Sequence, residues 1–103
     1  MNLGQILKLI RTQKGFNQKQ MSALLGISQN YLSLIESAKK QPSVDRISEM
    51  SKKLGLSSDA LIFAASDVPP ELSDKDRKNY QQLQKNIISL LLFELTEELD
   101  KIA

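Results

Sequence analysis

Two amide side chains, Gln29 and Asn30, stand next to each other where the sequence predicts the start of a short helix. Ser28 is a favourable N-cap for that helix, and Leu32 and Ile35 give it a buried row at helical spacing. An amide donates and accepts hydrogen bonds at the same time, which matches N6 and N7 of adenine in the major groove. The pair therefore suits base recognition, although amides are also common on helix surfaces that bind nothing.

The sequence offers little for catalysis. It contains no His and no Cys, so the commonest general base and the commonest thiol nucleophile are both absent. We find no glycine-rich phosphate loop and no spacing typical of metal ligands. We therefore expect a protein that is not an enzyme and that has no cofactor and no metal site.

The overall composition is that of an ordinary soluble protein. With 103 residues, the chain can form one ordinary domain or a small domain with an appendage. The N-terminus lacks the basic start and the long apolar core of a signal peptide, and no apolar run is long enough to span a bilayer. We expect a cytoplasmic protein without a membrane partner.

Charge is distributed unevenly between the two parts of the chain. Residues 1–66 contain nine basic and four acidic side chains, whereas residues 67–103 contain five basic and eight acidic ones. A basic first part and an acidic second part indicate that any binding to a polyanion belongs to the first part alone.

A second short helix is predicted immediately before the one that carries the amides. Asn17 can cap it, and Gln20 lies three residues later, as a capping box requires. Gly26 stands where the chain must turn sharply between the two helices. The apolar row of this helix is expected to be Met21, Leu24 and Leu25.

This unit resembles the helix-turn-helix of the phage-repressor-like, Xre-type family of DNA-binding domains over roughly residues 2–63. The residues that carry the resemblance are Gln18, Ala23, Leu24, Gly26-Ile27-Ser28, Tyr31-Leu32-Ser33, Ile35-Glu36 and Lys39-Lys40-Gln41-Pro42-Ser43. The resemblance implies a sequence-specific transcriptional regulator, most simply a repressor, whose third helix enters the major groove of double-stranded DNA.

The resemblance also assigns contacts. We expect base contacts from Gln29, Asn30, Ser33 and Leu34, and phosphate contacts from Gln18, Lys14, Lys39 and Lys40.

Three further positions carry expectations of their own. The resemblance implies that Glu36 pairs within the fold, because a bare carboxylate facing DNA would be repelled. Arg11 is expected on a solvated face of the first helix. Family members usually have Gly where this chain has Ala38, so a left-handed backbone there would cost about 1 kcal/mol.

The sequence predicts an all-α fold in three segments. A five-helix, phage-repressor-like DNA-binding domain is expected over residues 1–66, followed by a linker over 67–73 that contains Pro69 and Pro70. A long helix is expected over 74–103, with no Pro or Gly inside it.

Part of this C-terminal helix, residues 87–93, is apolar nearly all round, so it must be buried on more than one side. The simplest partner is a second copy of the chain, giving a homodimer through Tyr80, Leu83, Ile87, Ile88, Leu91 and Leu95. Two alternatives stay open. The helix can bind a different protein, as in an antitoxin that binds its toxin or a regulator controlled by a protein antagonist, or it can fold back onto its own domain.

Overall fold

A computed structural model describes the backbone of residues 1–102 and the side chains of residues 1–93. All regular structure in this part of the chain is α-helical. The helices are α1 (Leu3–Gln13), α2 (Gln18–Leu25), α3 (Gln29–Glu36), α4 (Val44–Leu54), α5 (Ser58–Ala65) and α6 (Asp74–Ile102). Of these described helices, none combines the length and the apolar character needed to cross a membrane.

Side-chain caps fix where the helices begin. Asn2 and Asn17 each accept a hydrogen bond from the backbone N–H three residues on, and Gln5 and Gln20 return the bond to the cap. The capping box predicted at Asn17 is therefore confirmed, and a second box starts α1. Single serine caps start the other four helices, at Ser28, Ser43, Ser57 and Ser73.

The core lies between the first five helices. Leu7, Met21, Leu32 and Leu61 are all fully buried, so α1, α2, α3 and α5 each contribute a side chain to the same cluster. Leu24 does not belong to this cluster and is 40% exposed, which corrects the predicted apolar row of α2. Met21 and Leu25, four residues apart, supply the buried apolar row of that helix.

A close approach between α1 and α3 depends on Gly4. A Cβ built at this buried glycine would collide with the carbonyl oxygen of Ile35 and would come within 3.0 Å of the carbonyl oxygen of Glu36. Both are backbone atoms, which cannot move aside as the end of a flexible side chain can. The absence of a side chain at Gly4 thus lets the start of α1 lie against the end of α3.

Helix α6 folds back on the first five helices and packs against α5 and α1. Its inner face, which we define as Tyr80, Gln84, Ile88 and Leu91, is turned towards them. The ring of Tyr80 lies 5.2 Å from the ring of Phe63, centroid to centroid, and Leu91 is 1% exposed within the core cluster. One side of the apolar segment is therefore covered by the chain itself.

The outer face of α6, which we define as Leu83, Leu90 and Phe93, is not covered. These side chains are 52%, 46% and 59% exposed, respectively. The residues expected at a dimer contact thus differ in exposure. Leu83 is exposed, whereas Tyr80, Ile87, Ile88 and Leu91 contact the same chain. Leu91 in particular is already buried without a partner, and the side chain of Leu95 lies outside the described residues.

Candidate nucleic-acid interface

Helix α3 is positioned by the turn and cap at its start and by the buried side chains on its inner side. Gly26 ends α2 with φ 69° and ψ 32°, a left-handed conformation that costs a glycine nothing. The hydroxyl of Ser28 then caps α3 by accepting a hydrogen bond from the N–H of Tyr31 at 3.0 Å. Leu32 and Ile35 are buried beneath the helix, so its opposite side is turned away from the core.

The four predicted base-contacting residues lie on or beside that opposite side. Gln29 and Asn30 are exposed in the first turn, and Ser33 and Leu34 are half-buried one turn later. Neither amide has a hydrogen-bonding partner among the described residues. Their donors and acceptors are therefore available to a ligand that approaches the start of α3.

Glu36 is the centre of a hydrogen-bonded group beneath the interface. Its carboxylate accepts two bonds from Arg11, from Nε at 2.8 Å and from Nη2 at 3.0 Å, and a third from Nε2 of Gln18 at 3.2 Å. Arg11 also donates from Nη1 to the carbonyl oxygen of Phe16 at 2.9 Å. The side chains of Arg11 and Glu36 are only 14% and 5% exposed.

This group confirms one expectation and corrects another. Glu36 does pair within the fold, but Arg11 is an internal partner and not a member of a solvated face. Gln18, the predicted phosphate contact at the start of α2, uses one amide hydrogen on Glu36 and keeps the other. The amide is thereby held in one orientation beside the free N–H groups of the first turn of α2, which attract anions.

A shallow depression of about 190 Å³ lies next to Gln18. It is lined by Lys8, Arg11, Gln18, Ser33, Glu36 and Ser37. Since Arg11 and Glu36 neutralise each other, the net charge on its rim comes from Lys8, which is exposed. Lys8 is not among the predicted contacts, because helical spacing alone does not show that α1 reaches the end of α3.

The loop after α3 presents Lys39 and Lys40. The carbonyl oxygen of Leu34 accepts from the backbone N–H of Lys39 at 2.9 Å and from that of Lys40 at 3.1 Å, while the N–H of Ala38 bonds to the carbonyl of Ile35. This is the Schellman arrangement, in which the residue after the cap is left-handed. Ala38 adopts φ 61°, so the alanine keeps the turn that favours glycine.

Two further cations lie over aromatic rings near this surface. Nζ of Lys14, a predicted phosphate contact, lies 5.8 Å from the ring centroid of Phe16 at the end of α1. The guanidinium carbon of Arg46 lies 5.3 Å from the ring centroid of Tyr31 in α3. Arg46 is exposed in the first turn of α4, and nothing in its sequence context marks it as a neighbour of α3.

No group of three or more acidic, His or Cys side chains among the described residues could hold a metal ion. The surface combines two exposed amides, a helix capped at its start and packed on the core, and lysines at several positions near it. That combination suits a ligand with a repeating anionic backbone and hydrogen-bonding edges.

Comparisons with known proteins agree with this geometry. A family model described as helix-turn-helix matches residues 7–61, which include α2, the turn and α3. An uncharacterized HTH-type transcriptional regulator, y4dJ of Sinorhizobium fredii, is 31% identical over 67 residues, covering 65% of this chain and 87% of that protein.

A second relative comes from Bacillus subtilis. The SPbeta prophage-derived uncharacterized HTH-type transcriptional regulator YonR is 36% identical over 76 residues, covering 71% of this chain and 70% of that protein. No solved structure gives a significant match. The helix-turn-helix, its buried supports and these relatives together show that the chain belongs to the Xre-like helix-turn-helix family of transcriptional regulators.

Proposed function

We propose that this protein is a sequence-specific DNA-binding regulator, acting as a repressor, that binds a two-fold operator as a homodimer. Helix α3 enters the major groove in each half-site. The observation that supports this most strongly is the pair of exposed, unpartnered amides, Gln29 and Asn30, in the first turn of a helix whose other side is fully buried. A protein that occupies an operator excludes other proteins from the same DNA, so repression is the simplest outcome.

Base contacts are assigned to four residues of α3. Gln29 and Asn30 can each bind adenine in bidentate fashion through N6 and N7. Ser33 lies one turn further on, where its hydroxyl can donate or accept. Leu34 offers its side chain to a thymine methyl group.

Phosphate contacts are assigned to the lysines and the amide that surround α3. Gln18 keeps one donor free, and Lys39 and Lys40 follow α3 on a loop whose backbone is anchored to Leu34. Lys14 is retained from the sequence analysis, and Lys8 is added because it lies on the same depression as Gln18 and Ser33. These contacts position the protein on the duplex, whereas the amides select the sequence.

Dimerisation is assigned to the outer face of α6. Leu83 and Leu90 are seven residues apart, so they lie on one line along the helix, and Phe93 is one turn beyond Leu90. Three large apolar side chains that are about half exposed on one helix favour a helical partner. Leu91 is left out of this contact, since its own chain already buries it.

The charge of α6 favours a second copy as that partner. By sequence, residues 74–93 contain four basic and two acidic side chains, whereas residues 94–103 contain four acidic and one basic. Two such helices in antiparallel order bring the basic segment of each next to the acidic segment of the other. The same sequence is therefore complementary to itself.

The experiment has two parts. Selection of bound duplexes from a random pool should return one sequence with two-fold symmetry and half-site centres about 34–36 Å apart. Sedimentation of the intact protein at micromolar concentration should give a dimer. Enrichment of no sequence would contradict specific DNA binding. A monomer both in solution and on the selected duplex would contradict the homodimer and would assign the outer face to a different protein, such as an antagonist or a toxin.

A further inference from the structure

A buried amide joins α6 to the end of α5. Gln84 is 8% exposed, and its Nε2 donates to the carbonyl oxygen of Ser66 at 2.8 Å and to that of Phe63 at 3.2 Å. Carbonyls at the end of a helix lack the usual partner one turn on. That of Phe63 accepts from the N–H and the hydroxyl of Ser66, and Gln84 adds a bond from outside α5. Gln84 therefore caps α5 from a different helix, which is a long-range role for a side chain in the middle of α6.

Tyr80 completes this connection one turn earlier. Its hydroxyl lies 3.2 Å from the hydroxyl of Ser66, and its ring contacts the ring of Phe63. The same two residues of α5, Phe63 and Ser66, thus receive both side chains. No buried side-chain nitrogen or oxygen among the described residues is left without a partner, so this polar group is complete.

The hydrogen bonds of Gln84 and Tyr80 fix the rotation and the axial position of α6 more closely than its apolar contacts do. Ile88 and Leu91 bury area against the core, but apolar burial is not directional and tolerates a small rotation or slide of the helix. A hydrogen bond weakens steeply when its angle or length changes. Since one residue of an α-helix corresponds to a rotation of about 100°, the bonds of Gln84 and Tyr80 specify both the rotation and the axial position of α6.

We propose that Gln84, assisted by Tyr80, is a positioning residue that sets the distance between the two half-sites that the dimer accepts. The inference rests on the proposed function, because it needs a dimer formed by the outer face of α6. In such a dimer the angle between α6 and α5 fixes where each α3 lies relative to its copy. If α6 were joined only through residues 67–73, the two α3 helices could adjust to several spacings.

The test compares Gln84→Met with wild type on a set of duplexes. Methionine has nearly the same volume but cannot donate, so it removes both hydrogen bonds while filling the site. The duplexes carry the selected half-sites with one or two base pairs inserted or deleted between them. Each inserted base pair moves a half-site by about 3.4 Å along the axis and rotates it by about a tenth of a turn.

Wild type should bind one spacing and lose at least about tenfold in affinity at a change of one base pair, out of the 10²–10⁴-fold that linked binding can supply. In Gln84→Met the same change should cost less than about threefold, while dimerisation and affinity for an isolated half-site stay as in wild type. Gln81→Met is the matched control, because Gln81 is exposed on α6 three residues earlier and should keep the wild-type profile.

Tyr80→Phe provides a second variant that keeps the ring and removes only the bond to Ser66. Its dependence of affinity on half-site spacing should lie between those of wild type and Gln84→Met.

An unchanged spacing dependence in a dimeric Gln84→Met protein would overturn the inference and leave the proposed function intact. If Gln84→Met fails to fold, Tyr80→Phe decides: a broader profile supports the inference and a wild-type profile overturns it. A monomeric wild-type protein overturns the dimer and this inference together.

Discussion

Arg11 and Glu36 form a bidentate ion pair, at 2.8 and 3.0 Å, that joins the last turn of α1 to the last residue of α3. The same two side chains also bond to the carbonyl of Phe16 and to Gln18, so one ion pair connects α1, the loop after it, α2 and α3. Burying such a pair gains little net stability over apolar residues, since both charges lose water. Its clear effect is to fix the position of α3 relative to the helices behind it.

Removing one partner of this pair should be costly. Glu36→Ala leaves the guanidinium of Arg11 nearly buried and unpaired, which is expected to lower the free energy of unfolding by about 3–5 kcal/mol. Urea denaturation followed by circular dichroism measures this change in the free energy of unfolding. Glu49→Ala, at an exposed position on α4, is the control and should change stability little. A loss below about 1 kcal/mol for Glu36→Ala would mean that the pair is effectively solvated.

Ala38→Gly should stabilise the protein by about 1 kcal/mol, because glycine adopts the left-handed backbone at φ 61° without the clash that a Cβ causes. Thermal or urea unfolding detects this. Ser37→Gly is the matched control, since Ser37 has φ −87° and gains nothing from glycine. Equal effects of the two substitutions would show that Ala38 is not strained.

The sequence predicted local structure better than it predicted how elements meet. Caps at Asn17 and Ser28 were recognisable because each bonds to a backbone N–H only a few residues away. The left-handed turn at Ala38 was considered only because the family usually has glycine there. Local patterns of this kind depend on residues that are close in the chain.

Contacts between distant residues were not predictable in the same way. Nothing around Arg11 shows that it faces Glu36, 25 residues away, and nothing around Gly4 shows that α3 lies against it. Periodicity indicated that residues 87–93 need burial on more than one side, but it did not show which side the chain covers itself. The burial of Leu91 and the exposure of its neighbour Leu90 depend on how α6 folds back.

That neighbouring pair gives a prediction that separates folding from dimerisation. Leu91→Lys places an unpaired charge in the core and should lower the free energy of unfolding by several kcal/mol. Leu90→Lys alters the outer face and should leave the fold intact while making the protein monomeric. Sedimentation together with urea denaturation of both variants checks this. A dimeric Leu90→Lys protein would remove the outer face of α6 from the dimer contact.

The phosphate contacts are tested by measuring how the affinity for DNA depends on salt concentration. Lys39→Ala, Lys40→Ala and Lys8→Ala should each weaken binding to all duplexes alike and flatten the plot of log affinity against log salt by about one unit. Lys52→Ala, an exposed residue at the far end of α4, serves as the control with an unchanged slope. A lysine whose removal leaves the slope unchanged does not neutralise a phosphate.

Substitution of the two amides of α3 tests whether this helix reads the DNA sequence. Gln29→Ala and Asn30→Ala should each reduce affinity for the selected operator by about 1–3 kcal/mol if the residue makes a bidentate base contact, while affinity for an unrelated duplex stays as in wild type. Fluorescence anisotropy with both duplexes at one salt concentration gives the ratio of the affinity for the operator to the affinity for the unrelated duplex. A selective loss on the operator is the predicted result. Equal losses on the two duplexes, or no loss on either, would contradict the claim that α3 reads the sequence of DNA.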